Sequence, residues 1–455
     1  MSDAALVKNL AEKISSGHSR QKTLDGYYEG SLRLEAMGLS LPPEMRQLTT
    51  VVNWPRLVVD SLEERLDVEG FRLGGAVNAD EELWGWWQAN NLDEEAGQAH
   101  LEALIQGRAY ITVGAPEAEG EAPVITVESA RCMYAETDPR TRAVTRAVRL
   151  YDHHDGQPRA ATLYLPDRTA YLRLGAGGVW GPDPDMEDDE HGLGVVPVVP
   201  MTNRSRLYDR AGRSEMTDII PITDAACRTL TNLQGAQELL AMPQNIFFGV
   251  KKDDFVDQNG DPLPAWQAYL GRMKAMENHE GKAIQLPGAQ LNNFTEVINH
   301  YGRLVSALSG LPPHFLGFTS DNPASADAIR SSEARLVKRA ERRARMFEQA
   351  WEQAIRLAMR IAGREDAGAA RLETVWRDPS TPTYAARADA VTKLYSQGLL
   401  PMEAAWEQMG FSPEYRRHLR SLTSTDPSVR YLELLQSASQ EPAPGPPPVD
   451  AGAEA

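Results

Sequence analysis

Apolar residues recur at helical spacing near the start of the chain: Leu6, Leu10 and Ile14, then Leu57, Val58, Leu62 and Leu66. Positions three, four or seven apart share one helix face, so residues 4 to 66 read as helical. Pro55 suits a first helical turn, where a missing N–H costs nothing. Residues 79–90 carry Leu83, Trp84 and Trp87 and read as a short amphipathic helix; residues 94–106 read as another, ending at Gly107. The period then changes. Residues 110–113, 124–127, 144–151, 161–165 and 170–174 are short β-type runs, most of them separated by Gly, Pro or Asp. A Gly-rich and then acidic stretch follows from Gly175 to Gly194. Residues 195–201 read as a buried or edge strand interrupted by Pro197 and Pro200. The first ~200 residues therefore predict an α+β arrangement.

From Ser214 the helical period returns through Ile219, Ile222, Ala226, Leu230, Leu233 and Leu240, and Pro243 ends it. Residues 294–309 form a second such helix, closed by Gly310. Between the two lies an α/β insert of about 50 residues, with strands expected at 245–250 and 283–286, a turn at Asn259-Gly260 and a helix over 265–276. An insert between antiparallel helices projects from the tip of a helical hairpin. Residues 324–362 contain neither Pro nor Gly, and Ile329, Leu336, Ala340, Phe347, Trp351, Ala354 and Ala358 make one stripe. Asn322 and Pro323 suit the cap and first residue of this long helix, and Gly363 its end. Residues 383–422 predict three short helices parted at Gly398 and Gly410, with Ser412 capping the last. The stretch after Ser437 is rich in Pro and acid and reads as disordered.

Charge changes the picture in one place. The 455 residues carry a net charge of −17, opposite in sign to proteins that grip DNA over a broad surface. Yet Arg330, Arg335, Lys338, Arg339, Arg342, Arg343 and Arg345 face only Glu333 and Glu341, a local net of +5 that leaves −22 on the rest. This basic run is either a face for solvent and neighbouring subunits or a contact for DNA phosphates. Lys251 and Lys252, beside Asp253 and Asp254, are a weaker candidate of the same kind. Two distant cysteines, Cys132 and Cys227, make neither a disulfide framework nor a zinc module and read as buried thiols. No leader peptide is apparent, and the most apolar stretch, 192–201, is half the ~20 residues a membrane span needs. Of the 47 basic residues 38 are Arg, a bias expected of a GC-rich genome.

Enzyme motifs are sparse. Gly281-Lys282 lacks the upstream glycine of a phosphate-binding loop, which argues against an ATP-driven motor. Residues 175–181 do not fit a dinucleotide fingerprint. Asp257 to Asp261 lacks the spacing of a calcium loop and reads as a hairpin turn. The acidic run Asp183, Asp185, Glu187, Asp188, Asp189 and Glu190 contains no base and reads chiefly as a solvated loop. A metal-dependent nuclease would need these carboxylates beside His153 or His154. Adjacent histidines on a strand point to opposite faces, so they rarely share an ion.

Four stretches, in this order, give the chain a family resemblance: Val52 to Leu62 (VNWPRLVVDSL), His191 to Pro200 (HGLGVVPVVP), Leu308 to Gly317 (LSGLPPHFLG) with Asn322 to Ile329 (NPASADAI) and the long helix, and Gln397 to Pro401 with Gly410 to Pro413. From about Tyr27 to Leu422 the chain resembles the portal proteins of tailed bacteriophages, of the siphovirus type found in phages of GC-rich actinobacteria. The resemblance implies a mainly helical α+β fold with an α/β clip set between two stem helices, and no catalytic residue, cofactor or metal. It divides the chain into a wing (1–213), a first stem helix (214–242), a clip (243–293), a second stem helix (294–316), a tunnel loop (317–323), a long wing helix (324–363), a crown (364–436) and a tail (437–455).

It further implies a ring, typically of twelve copies, at one vertex of the virion's capsid, assembled in the host cytoplasm without a membrane. Double-stranded DNA passes through the ring during packaging and ejection. The expected partners are the terminase large subunit, a head-completion adaptor, and the major capsid and scaffolding proteins. Gly317, Phe318, Thr319, Ser320, Asp321, Asn322 and Pro323 match the tunnel loop. Lys251, Lys252, Arg335, Lys338, Arg339, Arg342 and Arg343 are the candidate contacts to phosphate or to a neighbouring subunit. A capsid adaptor without a channel is the alternative, and the nuclease a more distant one.

Overall fold

The computed structural model describes residues 1–31, 50–76, 78–116, 118, 120–175, 177–241, 245–248, 273–276, 280, 291–318, 325–364, 368–380 and 384–424. They divide into two compact units. The larger comprises residues 1–67 and 86–366, and the smaller residues 68–85 and those from 367 onward.

In the larger unit, α1 (Asp3–Tyr28) lays Leu6, Val7, Leu10 and Ile14 on a sheet. The helical spacing selects Leu6, Leu10 and Ile14, and the structure adds Val7 beside them. The sheet is antiparallel and five-stranded: β4 (Met133–Thr137), β5 (Val144–His154), β6 (Gln157–Tyr164), β7 (Thr169–Leu174) and β8 (Trp180–Pro182), in that order. Val148, Leu150, Ala161, Leu163, Ala170, Leu172 and Trp180 complete this core. A second sheet runs β3 (Val124–Ser129), β2 (Arg108–Gly114), β9 (Val198–Thr202). Pro200 falls in edge strand β9, opposite Tyr110, where one side of the ladder is open and a missing N–H is tolerated.

Strand β2 is buried from Ala109 to Val113 without alternation. It is the central strand and is covered on both faces. Helix α4 (Leu92–Gln106) and the long helix α7 (Ala326–Ile361) pack against it, and Tyr110 meets Met133, Ala135 and Ala147 of the five-stranded sheet.

Between α2 (Trp54–Glu63) and α4, helix α3 (Glu81–Ala89) has residues in both units. Asn53 caps α2 by accepting the Arg56 N–H at 3.3 Å, and its amide donates to the Tyr28 carbonyl at 2.8 Å. This fixes the start of the VNWPRLVVDSL stretch. A 3₁₀ turn (Glu215–Asp218) leads into α5 (Ile220–Ala241), which packs on α6 (Leu291–Ser309). Of the insert between them, β10 (Asn245–Phe248) and β11 (Met273–Met276) are described, and they pair in parallel. The helix expected over 265–276 is therefore a strand at its end. The expected turn at 259–260 and strand at 283–286 lie outside the described residues, as do Lys251 and Lys252.

Helix α7 has 36 residues, about 54 Å at 1.5 Å each. Its cap is Ser325, whose Oγ accepts the Ala328 N–H at 3.2 Å, so the helix starts later than a cap at Asn322 would place it. Leu336, Ala340, Phe347, Trp351, Ala354 and Ala358 are buried as their spacing predicts, whereas Ile329 is 41% exposed. The first turns of α7 reach past the core. Trp351 is the centre of a buried aromatic group. Its indole N–H donates to His100 Nε2 at 2.9 Å, His100 stacks on Phe347, and Trp87 meets Trp351 edge-on at 4.9 Å.

The smaller unit pairs β1 (Val68–Arg72) antiparallel with β12 (Glu373–Trp376) and adds α8 (Tyr384–Ser396), α9 (Met402–Gln408) and α10 (Pro413–Ser424). Three short C-terminal helices were expected. The partner strand from 68–72 was not, because nothing local marks a strand whose mate lies about 300 residues away. Arg72 and Arg416 both pair with Glu407, Arg416 at 3.1 Å. Ser412 accepts the Tyr415 N–H at 3.2 Å as the cap of α10.

The acidic run 183–190 is not simply solvated. Asp183 is buried and takes the Arg173 guanidinium at 3.2 Å, Asp188 accepts the Tyr171 N–H at 3.3 Å, and Asp189 bridges Thr169. The bases that its own segment lacks come from β7 and the adjoining turn. Cys227 is buried and Cys132 is half-buried, and both are free. Among the described residues no helix is long and apolar enough to cross a membrane.

Candidate functional site

Two arginines of the basic run of α7, Arg339 and Arg343, meet on one buried carboxylate. Ser214 caps the 3₁₀ turn by accepting the Met216 N–H at 3.2 Å, and its hydroxyl donates to the Leu104 carbonyl at 3.4 Å. That clamp pushes Glu215 inward, where its side chain is fully buried. Oε1 accepts from Arg343 Nε at 2.5 Å and from the Asn203 amide at 3.1 Å. Oε2 accepts from Arg339 at 2.7 Å, and Arg204 stands at 3.9 Å. Burial alone would raise the Glu215 carboxyl, but Arg343, Arg339 and Arg204 outweigh it, and the net shift is downward. Burial likewise lowers Arg339, partly offset by Glu215.

The same run closes the end of α6. Arg335 donates to the Ala307 carbonyl at 2.6 Å, and Arg339 to the carbonyls of Leu308, at 3.1 Å, and Ser309. The last carbonyls of a helix lack intrahelical partners and carry partial negative charge, so guanidinium groups serve them twice over. Gly310 makes the approach feasible. It has φ +76°, and a Cβ there would sit 3.1 Å from Arg335 Cγ and 3.2 Å from Arg339 Cδ. Lys338 pairs with Glu341 one turn on, at 2.6 Å. It lines, with the exposed Arg342, a cleft of about 400 Å³ that also takes in Arg204, Asp218, Leu308, Arg335, Arg339 and Arg343.

From α6 the chain passes a 3₁₀ turn (Pro313–Leu316). Arg65 lies over the Phe315 ring at 5.9 Å, and His314 stands 3.8 Å from Glu333. Gly317 ends the turn with φ +80°. Phe318 then folds back on α6, filling the space beside Gly302 where a Cβ would meet its ring at 2.6 Å. Thr319, Ser320, Asp321, Asn322 and Pro323 lie outside the described residues.

The candidate residues thus divide. Arg335, Arg339 and Arg343 gather at Glu215 and the end of α6, Lys338 and Arg342 border the cleft, and Gly317 and Phe318 open the segment between α6 and α7. His153 pairs opposite Pro158, and His154 reaches Asp155 at 3.0 Å. Among the described residues no three metal-binding side chains meet.

Nothing local in the sequence marks Glu215, which is 124 and 128 positions from its arginines. The helix wheel carries one signal of it. At 100° per residue, Arg343 falls about 20° from Leu336 on the helix wheel, within the apolar stripe rather than opposite it. A base on that stripe needs a buried acid.

Comparison with known proteins decides the family. The model of the family described as "Phage portal protein, SPP1 Gp6-like" matches residues 8–414. The chain belongs to this portal family. Similar portal proteins come from Mycobacterium phage L5, 45% identical over 434 residues (92% of this chain and 88% of that protein), and from Mycobacterium phage D29, 45% identical over 438 residues with the same coverage. Two solved structures are more distant. A chain of the virion of a native gene transfer agent particle is 12% identical, covering 86% of this chain and 94% of its own, at a TM-score of 0.39. One from the neck of an empty particle is 14% identical, covering 83% and 96%, at 0.40. The portal family is structural rather than enzymatic, and a portal protein is a virion component that forms a homo-oligomeric ring at a capsid vertex, the conduit for the phage genome. The actinobacterial hosts of both relatives agree with the arginine bias.

Proposed function

We propose that the Glu215 cluster is the joint that makes stem and long helix one piece, so that the tunnel loop between them is held at both ends. On this reading residues 1–213 and 324–363 are wing, 214–242 and 294–316 the stem helices, 243–293 the clip, 317–323 the tunnel loop and 364–436 the crown. Twelve copies close the ring. The clip meets the terminase large subunit and later a head-completion adaptor, and the outer surface meets capsid and scaffolding proteins.

The observation that carries this reading is Arg339, which holds Glu215 with one nitrogen and the end of α6 with the other. Three of the arginines expected at phosphate or at a neighbour are thereby occupied within the subunit. Lys251, Lys252, Lys338 and Arg342 are left as contacts to passing phosphates or to the next copy. Sparse cations suit a conduit. Each neutralised phosphate releases counterions and deepens a trap, so an acidic chain lets DNA slide.

Packaging assays on reconstituted capsids test the joint. Arg339→Met should assemble into rings yet package poorly, because the loop loses one anchor, while Arg342→Met should package nearly normally. Equal loss in both variants would overturn the joint in favour of a phosphate-contacting face.

A further inference from the structure

One loop of the larger unit is anchored at its neck yet projects its tip into solvent. Residues 204–213 leave β9 and return to Ser214 through a closed neck. Asn203 N donates to the Gly107 carbonyl at 2.9 Å, Arg213 N to the Asn203 carbonyl at 2.8 Å, and the Asn203 amide to the Arg213 carbonyl at 2.9 Å. Arg204 and Arg213 grip the two oxygens of Asp218 at 2.9 and 2.8 Å. The tip is folded too: Arg206 N donates to the Asp209 carbonyl at 2.7 Å, and the Asp209 carboxylate accepts the Ala211 N–H at 3.0 Å.

At that tip stand Leu207, 89% exposed, and Tyr208, 100% exposed. Scattered apolar residues on a surface are ordinary. Two adjacent large ones, fully presented by a hydrogen-bonded loop, are not. Arg204 also holds φ +50°, a conformation that β-carbon-bearing residues adopt at a cost and keep where the surroundings enforce it.

We propose that this loop is an inter-subunit clasp, with Leu207 and Tyr208 seated on the flank of the neighbouring copy. The proposal rests on the ring reading above. A ring of identical chains needs on each copy a face unlike the one it meets, and a projecting tip is such a face. The occupant is a second copy on grounds of charge and chemistry. With Arg204 and Arg213 held by Asp218, the tip itself (residues 205–211) carries Arg206 and Arg210 against Asp209, net +1 beside the apolar pair, while the rest of the chain carries −18. DNA fits less well: Leu207 gains nothing from a phosphate backbone, and Arg204 and Arg213 are occupied by Asp218. Two side chains are far less than the ~800 Å² a stable interface buries per partner, so the clasp is an anchor within a larger contact.

The test uses the full chain. Wild type and a Leu207→Ser/Tyr208→Ser variant are compared by mass photometry over a concentration series. The variant should keep the thermal midpoint of the free subunit, and half-assembly should require at least about tenfold more protein. Rings formed equally by both overturn the clasp alone, whereas a wild type that never forms rings overturns the ring reading and the clasp with it. A photo-crosslinking residue at position 208 of assembled rings, with DNA present, gives a second readout independent of variant folding. Adducts to another copy support the clasp, and adducts to DNA, or none from intact rings, overturn it.

Discussion

At the scale of single residues, the buried charges determine how stability responds to pH. Glu215 is ionised against two guanidinium groups in a site without water's help. Removing it takes the buried counter-charge from both and leaves Arg339 only the carbonyls at the end of α6, which costs more than the pair itself contributes. Glu215→Ala should therefore lose about 3–5 kcal/mol in urea unfolding at pH 7. Its carboxyl is held below the usual carboxylate range, so its contribution is complete at neutral pH and fades as pH falls through that lowered value. His100 acts in a higher window. Burial lowers it from 6.5 to about 3, so between those values the unfolded chain binds a proton that the fold does not. Stability should fall as pH drops from 6.5 toward 3. His100→Gln should flatten that slope in melts at pH 7 and pH 5, from a lower start because the stack on Phe347 is lost. Glu63 has the opposite sign. Burial, with Asp67, Asp60 and Glu64 nearby, raises it to about 7, so its ionisation weakens the fold as pH rises from 4.5 through 7. Glu63→Gln should raise the melting temperature at pH 8 and leave it nearly unchanged at pH 4.

At the scale of elements, local signals are legible in the sequence and distant ones are not. The stripe of α7, the turn at Gly107 and the helices 384–424 follow from spacing and capping alone. Strands β1, β4, β8 and β12 do not: each has five residues or fewer, and none alternates long enough to signal itself. Strand β8 sits inside a Gly-rich run that reads as loop. The helix expected through Met276 failed because a short apolar run fits either period. Capping shifts the start of α7 to Ser325. Ser325→Ala should cost about 1 kcal/mol by denaturant unfolding, and Asn322→Ala much less at that helix end. Gly302 has a different task. Any β-carbon there displaces the Phe318 ring, so Gly302→Ala should disturb the start of the 317–323 segment while sparing the α5–α6 pair. Faster hydrogen exchange confined to that segment would show it.

At the scale of the whole molecule, the order of elements along the sequence resembles that of the portal family, and the family match over residues 8–414 agrees. The internal use of the basic helix was hidden, because a carboxylate more than a hundred positions away decides it. The net charge of −17 now reads as an acidic subunit whose largest basic cluster is partly neutralised by its own Glu215. A map of the assembled ring with DNA in the channel, at a resolution that shows side chains, tests this most directly. The account predicts a closed ring in which Arg339 and Arg343 remain on Glu215 of their own subunit. Those two guanidinium groups found on DNA phosphates or on a neighbouring copy, with Glu215 abandoned, would contradict it.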